Sequence, residues 1–337
     1  MKPISIKDIA REANVSITTV SFILNGKAEK MRISQEMITK VEKIIQDFGF
    51  RPNQVARSLR TGNTKTIGLI VEDISNPFFA SIARLIENKA YKHGYKIIYS
   101  STENNLEKAK GLIRMFRSRQ VDGYIIAPME GMEEDIKTLL ADRTPVVVFD
   151  RNLLGVDVNC VLVDNKGGTY DGTDYLIRKG KKNIAFVTVD LEVEQIKDRY
   201  LGFEKALYLN GIKKNKKLYK SIPFTNTAEE TTAELVEFFT ANPEIDGVLF
   251  ATNYLAVRGL FSFKQMKKEI NDNFRVIAYD DHDIFKLHSP EISAVQQPVE
   301  AIADEVMTLM LKALNSLDSF EEMVHNKVML LSSVIER

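Results

Sequence analysis

The chain has 337 residues and balances 46 basic against 46 acidic side chains, so its net charge is zero and its length predicts two or three domains. The single cysteine, Cys160, excludes an internal disulfide and a cysteine-rich metal site, and four scattered histidines offer no zinc spacing. No apolar run approaches the length of a membrane span, and the opening residues carry no signal-peptide core, so a cytoplasmic protein is expected.

The charge is unevenly placed. Residues 1–66 hold twelve Lys and Arg against six Asp and Glu, a net +6 that the remainder offsets with −6. A basic head on an acidic body suits a nucleic-acid-binding head with a body that stays off the polyanion. Ser5 followed by Asp8 predicts a capped helix start. Ile6, Ile9, Ala10 and Ala13 then mark one apolar helical face. Asn14-Val15 breaks the pattern, and Ser16 is a good N-cap for a second helix. Two short helices on a tight turn form a helix-turn-helix, a reader of the DNA major groove. A third helix is predicted from Ser34 to Phe48, with Met37, Ile38, Val41, Ile44 and Ile45 as its stripe and Gly49 as its end. Pro52 opens a short segment through Arg60, and Thr61–Thr64 reads as a linker.

From residue 66 the texture changes. Strands are predicted at Thr66–Val71, Lys96–Ser100, Gly123–Pro128, Pro145–Phe149, Ile184–Val189, Gly247–Ala251 and Phe274–Tyr279. Helical patterns such as Pro77–Tyr91 and Leu106–Arg119 lie between most of them. Apolar strands alternating with amphipathic helices imply parallel sheets covered on both faces. The number of strands predicts two doubly wound lobes, with ligands at the carboxyl ends of the strands.

Several short words recur in a telling order. The head contains Ile6-Lys7-Asp8-Ile9-Ala10, Ala13-Asn14-Val15-Ser16, Thr19-Val20-Ser21 and Phe48-Gly49-Phe50-Arg51-Pro52-Asn53. The body contains Ile67–Val71, Asn76-Pro77-Phe78-Phe79, Val121-Asp122-Gly123, Phe149-Asp150-Arg151 and Arg199–Phe203, followed by Asp246-Gly247-Val248, Ala278-Tyr279-Asp280 and Gln297-Pro298. Over nearly the whole chain, this ordered set resembles the lactose-repressor (LacI/GalR) family. The resemblance implies a helical helix-turn-helix head and a two-lobed α/β body of the type I periplasmic-binding-protein kind, with parallel sheets. The expected division is a head at 1–51, a hinge helix and linker at 52–65, a first lobe at 66–163 with 295–325, and a second lobe at 164–294 with 326–337.

On this resemblance the second helix enters the major groove of double-stranded DNA. Ile17, Thr18 and Phe22 would lie near base edges, and Ser16, Thr19 and Ser21 near phosphates or the helix start. The family commonly carries a basic residue where this chain has Phe22; a phenyl ring can meet a thymine methyl or pack into the head. Arg51, Arg57 and Arg60 would contact phosphates. The segment from Asn53 to Arg60 resembles a hinge helix too short to be stable alone, ordered when two copies meet on DNA, with Leu59 as an apolar wedge in the minor groove.

A sugar effector needs an aromatic face for its C–H side and charged or amide groups for its hydroxyls. Asn76, Phe78, Phe79, Asp150, Arg151, Arg199, Asn253, Asp280 and Gln297 sit at or just past expected strand ends and match the pattern of ribose-type sugar binders. Phe79 could equally be core, Arg199 a surface ion pair, and Asp280-Asp281 a helix cap. The family often has Asn-Asp where this chain has Asn253-Tyr254, which places Tyr254 at the cleft or its mouth. The expected protein is a ligand-responsive transcriptional regulator, most simply a repressor of carbohydrate-utilisation genes. It would act as a homodimer on a pseudo-palindromic operator, with Pro77–Tyr91 a candidate contact helix, closing its lobes on a sugar. The closing residues show no Leu heptads, so no coiled-coil tetramer is expected.

No catalytic set, metal or cofactor is expected. A nicotinamide-dependent dehydrogenase should carry a glycine-rich turn after its first strand, and residues 72–77 contain no glycine. A transport sugar-binding protein would share the body but not the basic head. Control of the same head by a protein co-regulator remains the alternative to a sugar.

Overall fold

The computed structural model describes residues 4–50, 63–316 and 325–337. The chain divides between Thr64 and Lys65 into a small helical unit and a large α/β unit.

The small unit is three helices, α1 (Ile6–Ala13), α2 (Ile17–Leu24) and α3 (Gln35–Asp47). Each begins on a serine. Ser5 and Asp8 form a reciprocal capping box, Ser16 Oγ accepts from the Thr19 N–H at 3.0 Å, and Ser34 Oγ accepts from the Met37 N–H at 3.3 Å. These bonds satisfy donors that a helix start leaves orphaned. Asn14 ends α1 in the left-handed region at φ 54°, which asparagine tolerates better than most residues, and so makes the tight turn into α2. Ile9, Ala13, Val20, Ile23 and Val41 close the core of this unit. Residues 51–62, the last residue of the expected head and most of the expected hinge and linker, lie outside the described residues, and with them Arg51, Asn53, Arg57, Leu59 and Arg60.

The large unit holds two six-stranded sheets. The first contains β1 (Thr66–Val71), β2 (Lys96–Ser101), β3 (Gly123–Ile126), β4 (Val146–Phe149), β5 (Asn159–Val163) and β11 (Lys327–Leu330), in the order β11-β5-β4-β3-β1-β2 and parallel throughout. The second contains β6 (Ile184–Val189), β7 (Tyr219–Ile222), β8 (Gly247–Phe250), β9 (Arg275–Tyr279), β10 (Ser293–Gln296) and β12 (Ser333–Ile335), in the order β12-β10-β9-β8-β6-β7. Its strands are parallel except for β12, which runs antiparallel to β10.

Helices cover both faces of each sheet. In the first lobe these are α4 (Pro77–Lys92), α5 (Leu106–Ser118) and α6 (Glu133–Ala141), with α12 (Val299–Ser316) returning to pack beside α4. The second lobe carries α7 (Asn165–Arg178), α8 (Glu194–Leu209), α9 (Ala228–Ala241), α10 (Asn253–Met266) and the short α11 (Asp283–Leu287). Each sheet accordingly has an apolar cluster on either side, which is why its central strands read as unbroken apolar runs. Helices α7 and α8 meet at Gly202, where a Cβ would lie 2.2 Å from the Lys166 carbonyl oxygen. A side chain there would push the two backbones apart, which explains a glycine in the middle of a helix.

Two of the expected lobe limits are corrected. Strand β10 belongs to the second sheet, paired with β9 through Ala294 opposite Ala278, so the chain crosses to the first lobe after Gln296 and not at 295. The segment from 326 does not stay in the second lobe. Its β11 pairs with β5 through Lys327 opposite Cys160, and the chain crosses back only between Leu330 and Ser333. Three crossings therefore join the lobes: after β5, after β10 and after β11.

Candidate functional site

The carboxyl ends of the strands in both sheets carry polar residues, as parallel α/β folds require of a ligand site. Asp150 follows β4 and Asp280 follows β9, each with φ 67°. Each backbone N–H still bonds the neighbouring strand, Asp150 N to Val161 O at 3.1 Å and Asp280 N to Val295 O at 2.8 Å. The two lobes thus repeat one device: the last pleat turns left-handed and presents a buried carboxylate. Such backbone outliers persist only where the surroundings over-determine them.

Around these carboxylates the side chains hold one another. Gln297 donates from Nε2 to Asp280 Oδ1 at 2.6 Å, and Gln195 from Nε2 to Asp150 Oδ2 at 3.3 Å. Arg151 donates to Asn104 Oδ1 at 2.8 Å and pairs with Glu72, and both members of that ion pair are shielded from solvent. Arg199 donates to Asn165 Oδ1 at 2.9 Å and to the Ala251 carbonyl at 2.6 Å, while its guanidinium lies 3.6 Å from the centre of the Tyr279 ring. A guanidinium so clamped presents its remaining N–H edge in a fixed direction. Asn253 donates from Nδ2 to Asn76 Oδ1 at 3.0 Å and so ties one lobe to the other, while Asn76 also caps α4 through the Phe78 N–H at 3.1 Å.

Burial pushes the Asp150 carboxyl up to about 6 against the pull of Arg151 and Arg199, with Glu72 and Asp280 adding to the rise. Asp280 is raised as well, again by burial, with Arg199 and Gln297 opposing. Burial also pushes the Tyr279 phenol up to about 12. The Arg151 Nε and Gln195 Oε1 atoms are buried with no hydrogen-bond partner, and both residues line the cavity.

Eight of the nine candidate ligand residues line this single inner chamber of about 50 Å³: Asn76, Phe78, Phe79, Asp150, Arg151, Arg199, Asp280 and Gln297. Asn253 lines an outer chamber of about 410 Å³ that shares Glu72, Asn76, Val189 and Tyr254 with the inner one. Phe79 does both jobs that its position allowed: it also packs edge-on against Phe149 in the core, ring centres 6.3 Å apart. Arg199 is buried, which removes the surface ion-pair reading. Sequence reasoning missed Glu72, Asn104, Asn165 and Gln195. Glu72 stands directly after β1, as Asp150 stands after β4, and that parallel was its only signal.

In the head, Ile17 and Thr18 are exposed at the start of α2, and Ile17 is the more telling because it is a large apolar side chain left in solvent. Ser16 Oγ and Thr19 Oγ1 lie 2.8 Å apart, and Ser21 receives the Asn25 amide at its carbonyl, 2.6 Å away. Phe22 is half-buried and does not belong to the apolar core of the head, so its ring is not consumed by packing there. The described residues bring Ser16, Ile17, Thr18, Thr19, Ser21 and Phe22 onto one short helix and its start.

Comparison with known proteins adds an independent line. Residues 5–53 match the model of bacterial regulatory proteins of the lacI family, and residues 64–316 match periplasmic binding proteins and the sugar binding domain of the LacI family. The chain is 34% identical over 316 residues to the HTH-type transcriptional regulator RegA of Clostridium saccharobutylicum, covering 92% of each. It is 28% identical over 327 residues to a ribose operon repressor of Halalkalibacterium halodurans, covering 96% of this chain and 95% of the relative. Its fold matches the lac repressor dimer bound to operator and an anti-inducer with a TM-score of 0.83 at 20% identity, over 100% of this chain and 98% of the other.

Proposed function

Because this chain belongs to the LacI family of bacterial regulatory proteins, we propose that it is a cytoplasmic, sugar-responsive repressor of carbohydrate-utilisation genes. The observation that carries the effector is the chamber between the lobes, where Asp150, Arg151, Arg199 and Asp280 converge with amides and with Phe78. Carboxylates accept from sugar hydroxyls, guanidinium and amide groups donate to them, and the phenyl face covers C–H groups. Asp150 and Asp280 serve as acceptors rather than as catalytic acids, each held by an amide, so no reaction is assigned to the site.

DNA recognition follows from α2. Its exposed N-terminal turn enters the major groove, with Ile17, Thr18 and Phe22 at base edges and Ser16, Thr19 and Ser21 at phosphates or the helix start. By its resemblance to the family, the chain would add phosphate contacts from Arg51, Arg57 and Arg60 and a minor-groove contact from Leu59, residues outside the described ones. A homodimer reads a pseudo-palindrome because its two-fold axis imposes one on the site. Sugar binding changes the lobe closure that sets the spacing of the two heads, so sugar and operator affinities are reciprocally linked.

The test is a thermal-shift screen of the purified chain against pentoses, hexoses, disaccharides, sugar phosphates, uronic acids and purines. A native-state ligand raises the melting temperature. A saccharide hit lost in both Asp150→Ala and Arg199→Ala supports the reading. A panel without any saccharide hit rejects it and favours a protein co-regulator.

A further inference from the structure

The candidate site occupies only the carboxyl ends of the strands. At the other end of the second sheet, where β6 and β7 begin, the surface is basic, although the body as a whole is net acidic. Residues 205–228 hold six lysines and no Asp or Glu. This run leaves the last turn of α8, makes a short 3₁₀ turn at Lys216–Leu218 and enters β7, the edge strand of its sheet. Lys182, just before β6, joins it: Lys182, Lys213 and Lys214 line one shallow cleft with Asn183, Asn215, Tyr200 and Tyr219.

The acids that touch this region are committed elsewhere. Glu204 pairs with Lys214 and Glu234 with Lys220. Asp246 accepts the backbone N–H groups of Lys182 and Asn183, at 3.0 and 2.9 Å. Among the described residues, Lys182, Lys213, Lys216 and Lys217 are exposed, and no carboxylate forms an ion pair with them. None of these four lies in β7, so guarding an edge strand against other strands does not account for them.

Aromatic rings are set among these cations. Tyr208, in the last turn of α8, is 82% exposed. Tyr219 is 39% exposed, with its ring stacked beside Phe186 at 6.1 Å between centres and edge-on to Tyr200 at 5.0 Å. A ring held in this way is a fixed platform. The cations also discriminate between anions. Carboxylates are matched by the planar arginine fork, whereas lysine binds phosphate as a point charge, and residues 205–228 contain no arginine. Ammonium groups for phosphates, interleaved with rings on which unpaired bases stack, are the chemistry that holds a single strand.

We propose that this pole of the second lobe binds single-stranded nucleic acid, with phosphates at Lys182, Lys213, Lys216 and Lys217 and bases on Tyr208 and Tyr219. The surface shares no residue with either chamber of the candidate effector site, so it stands or falls apart from the sugar reading.

The experiment is anisotropy of the full chain with a labelled oligouridylate of about twelve nucleotides, at several salt concentrations. Replacing Lys213, Lys216 and Lys217 together with alanine removes three phosphate contacts and leaves the head untouched. It should weaken binding about tenfold or more at low salt and lower the slope of log affinity against log salt by about 2. All three side chains are exposed, so the melting temperature should stay at the parent's value. Tyr208→Ala should weaken binding about fivefold or more, and so should Tyr219→Leu, which keeps an apolar side chain beside Phe186. Affinity and slope unchanged in the lysine variant would overturn the site. Tyrosine variants that both bind like the parent, or an oligoglutamate of equal charge bound as tightly as the oligouridylate, would overturn nucleic acid as its occupant.

Discussion

Replacing Asp150 with asparagine separates what the carboxylate costs the fold from what it gives the ligand. The group has an ordinary value of 3.8 and is pushed to about 6 in the native state. Between those values the folded chain holds a proton that the unfolded chain has released, so stability falls as pH rises through the window. Each pH unit is worth about 1.4 kcal/mol, so ionised Asp150 costs the fold about 3 kcal/mol by pH 7. That figure already includes the opposing attraction of Arg151 and Arg199, because the raised value is the net of burial and charge. Asp150→Asn is therefore expected to match the parent chain near pH 4 and to exceed it by about 1–3 kcal/mol at pH 7.5. The same change removes a charged acceptor from the chamber and should weaken sugar binding by about 1.5–3 kcal/mol, roughly 10- to 150-fold. Urea unfolding at the two pH values, with calorimetric titration of the effector, reads both effects. A variant less stable than the parent at pH 7.5, or one with the parent's sugar affinity, refutes the reasoning.

Other outcomes follow from named contacts. Gly202→Ala forces a Cβ to within 2.2 Å of the Lys166 carbonyl oxygen and should cost about 3 kcal/mol in urea unfolding; a cost below about 1 kcal/mol would mean α7 and α8 separate freely. Arg199→Lys keeps the charge but not the fork that reaches Asn165 and Ala251, so sugar affinity should drop about tenfold or more in calorimetry, and an unchanged affinity would show that charge alone suffices. Phe22→Ala should weaken operator binding by about 1–3 kcal/mol at one base pair in each half-site, with no change in salt dependence, as read by anisotropy on a panel of substituted duplexes. Arg57→Ala should lower the slope of log affinity against log salt by about 0.9 per subunit, or about twice that for a dimer, and a slope equal to the parent's would remove Arg57 from the phosphate contacts.

The capped helices and central strands were legible because their signals are local. Ser5, Ser16 and Ser34 each precede a helix and cap it, and β1 and β6 are apolar runs with the limits expected for them. Five strands were not among those expected: β5, β7, β10, β11 and β12. Strands β7, β11 and β12 are short and half-exposed, so they lack the continuous apolar run of a buried strand. The pairing of β11 with β5 joins residues more than 160 positions apart and leaves no periodic trace, which is why the lobe limit at 326 was misplaced. In the site, Asp150-Arg151 stood out as two charges directly after four apolar residues. Glu72 and Gln195 did not, since a lone carboxylate after a strand or an amide in a helix's first turn is ordinary. Only the tertiary fold sets Glu72 against Arg151 and Gln195 against Asp150.

The most direct test of the whole account joins its two halves in one tube. A duplex selected by the full chain from random DNA is labelled, and its affinity is measured by anisotropy at fixed salt, with and without the saccharide that shifts the melting temperature. The account predicts a pseudo-palindromic duplex bound about a thousandfold or more tighter than a scrambled one, with an affinity that saturating saccharide changes by at least about fivefold. No selected sequence, or an operator affinity indifferent to a saccharide that binds the body, would contradict it.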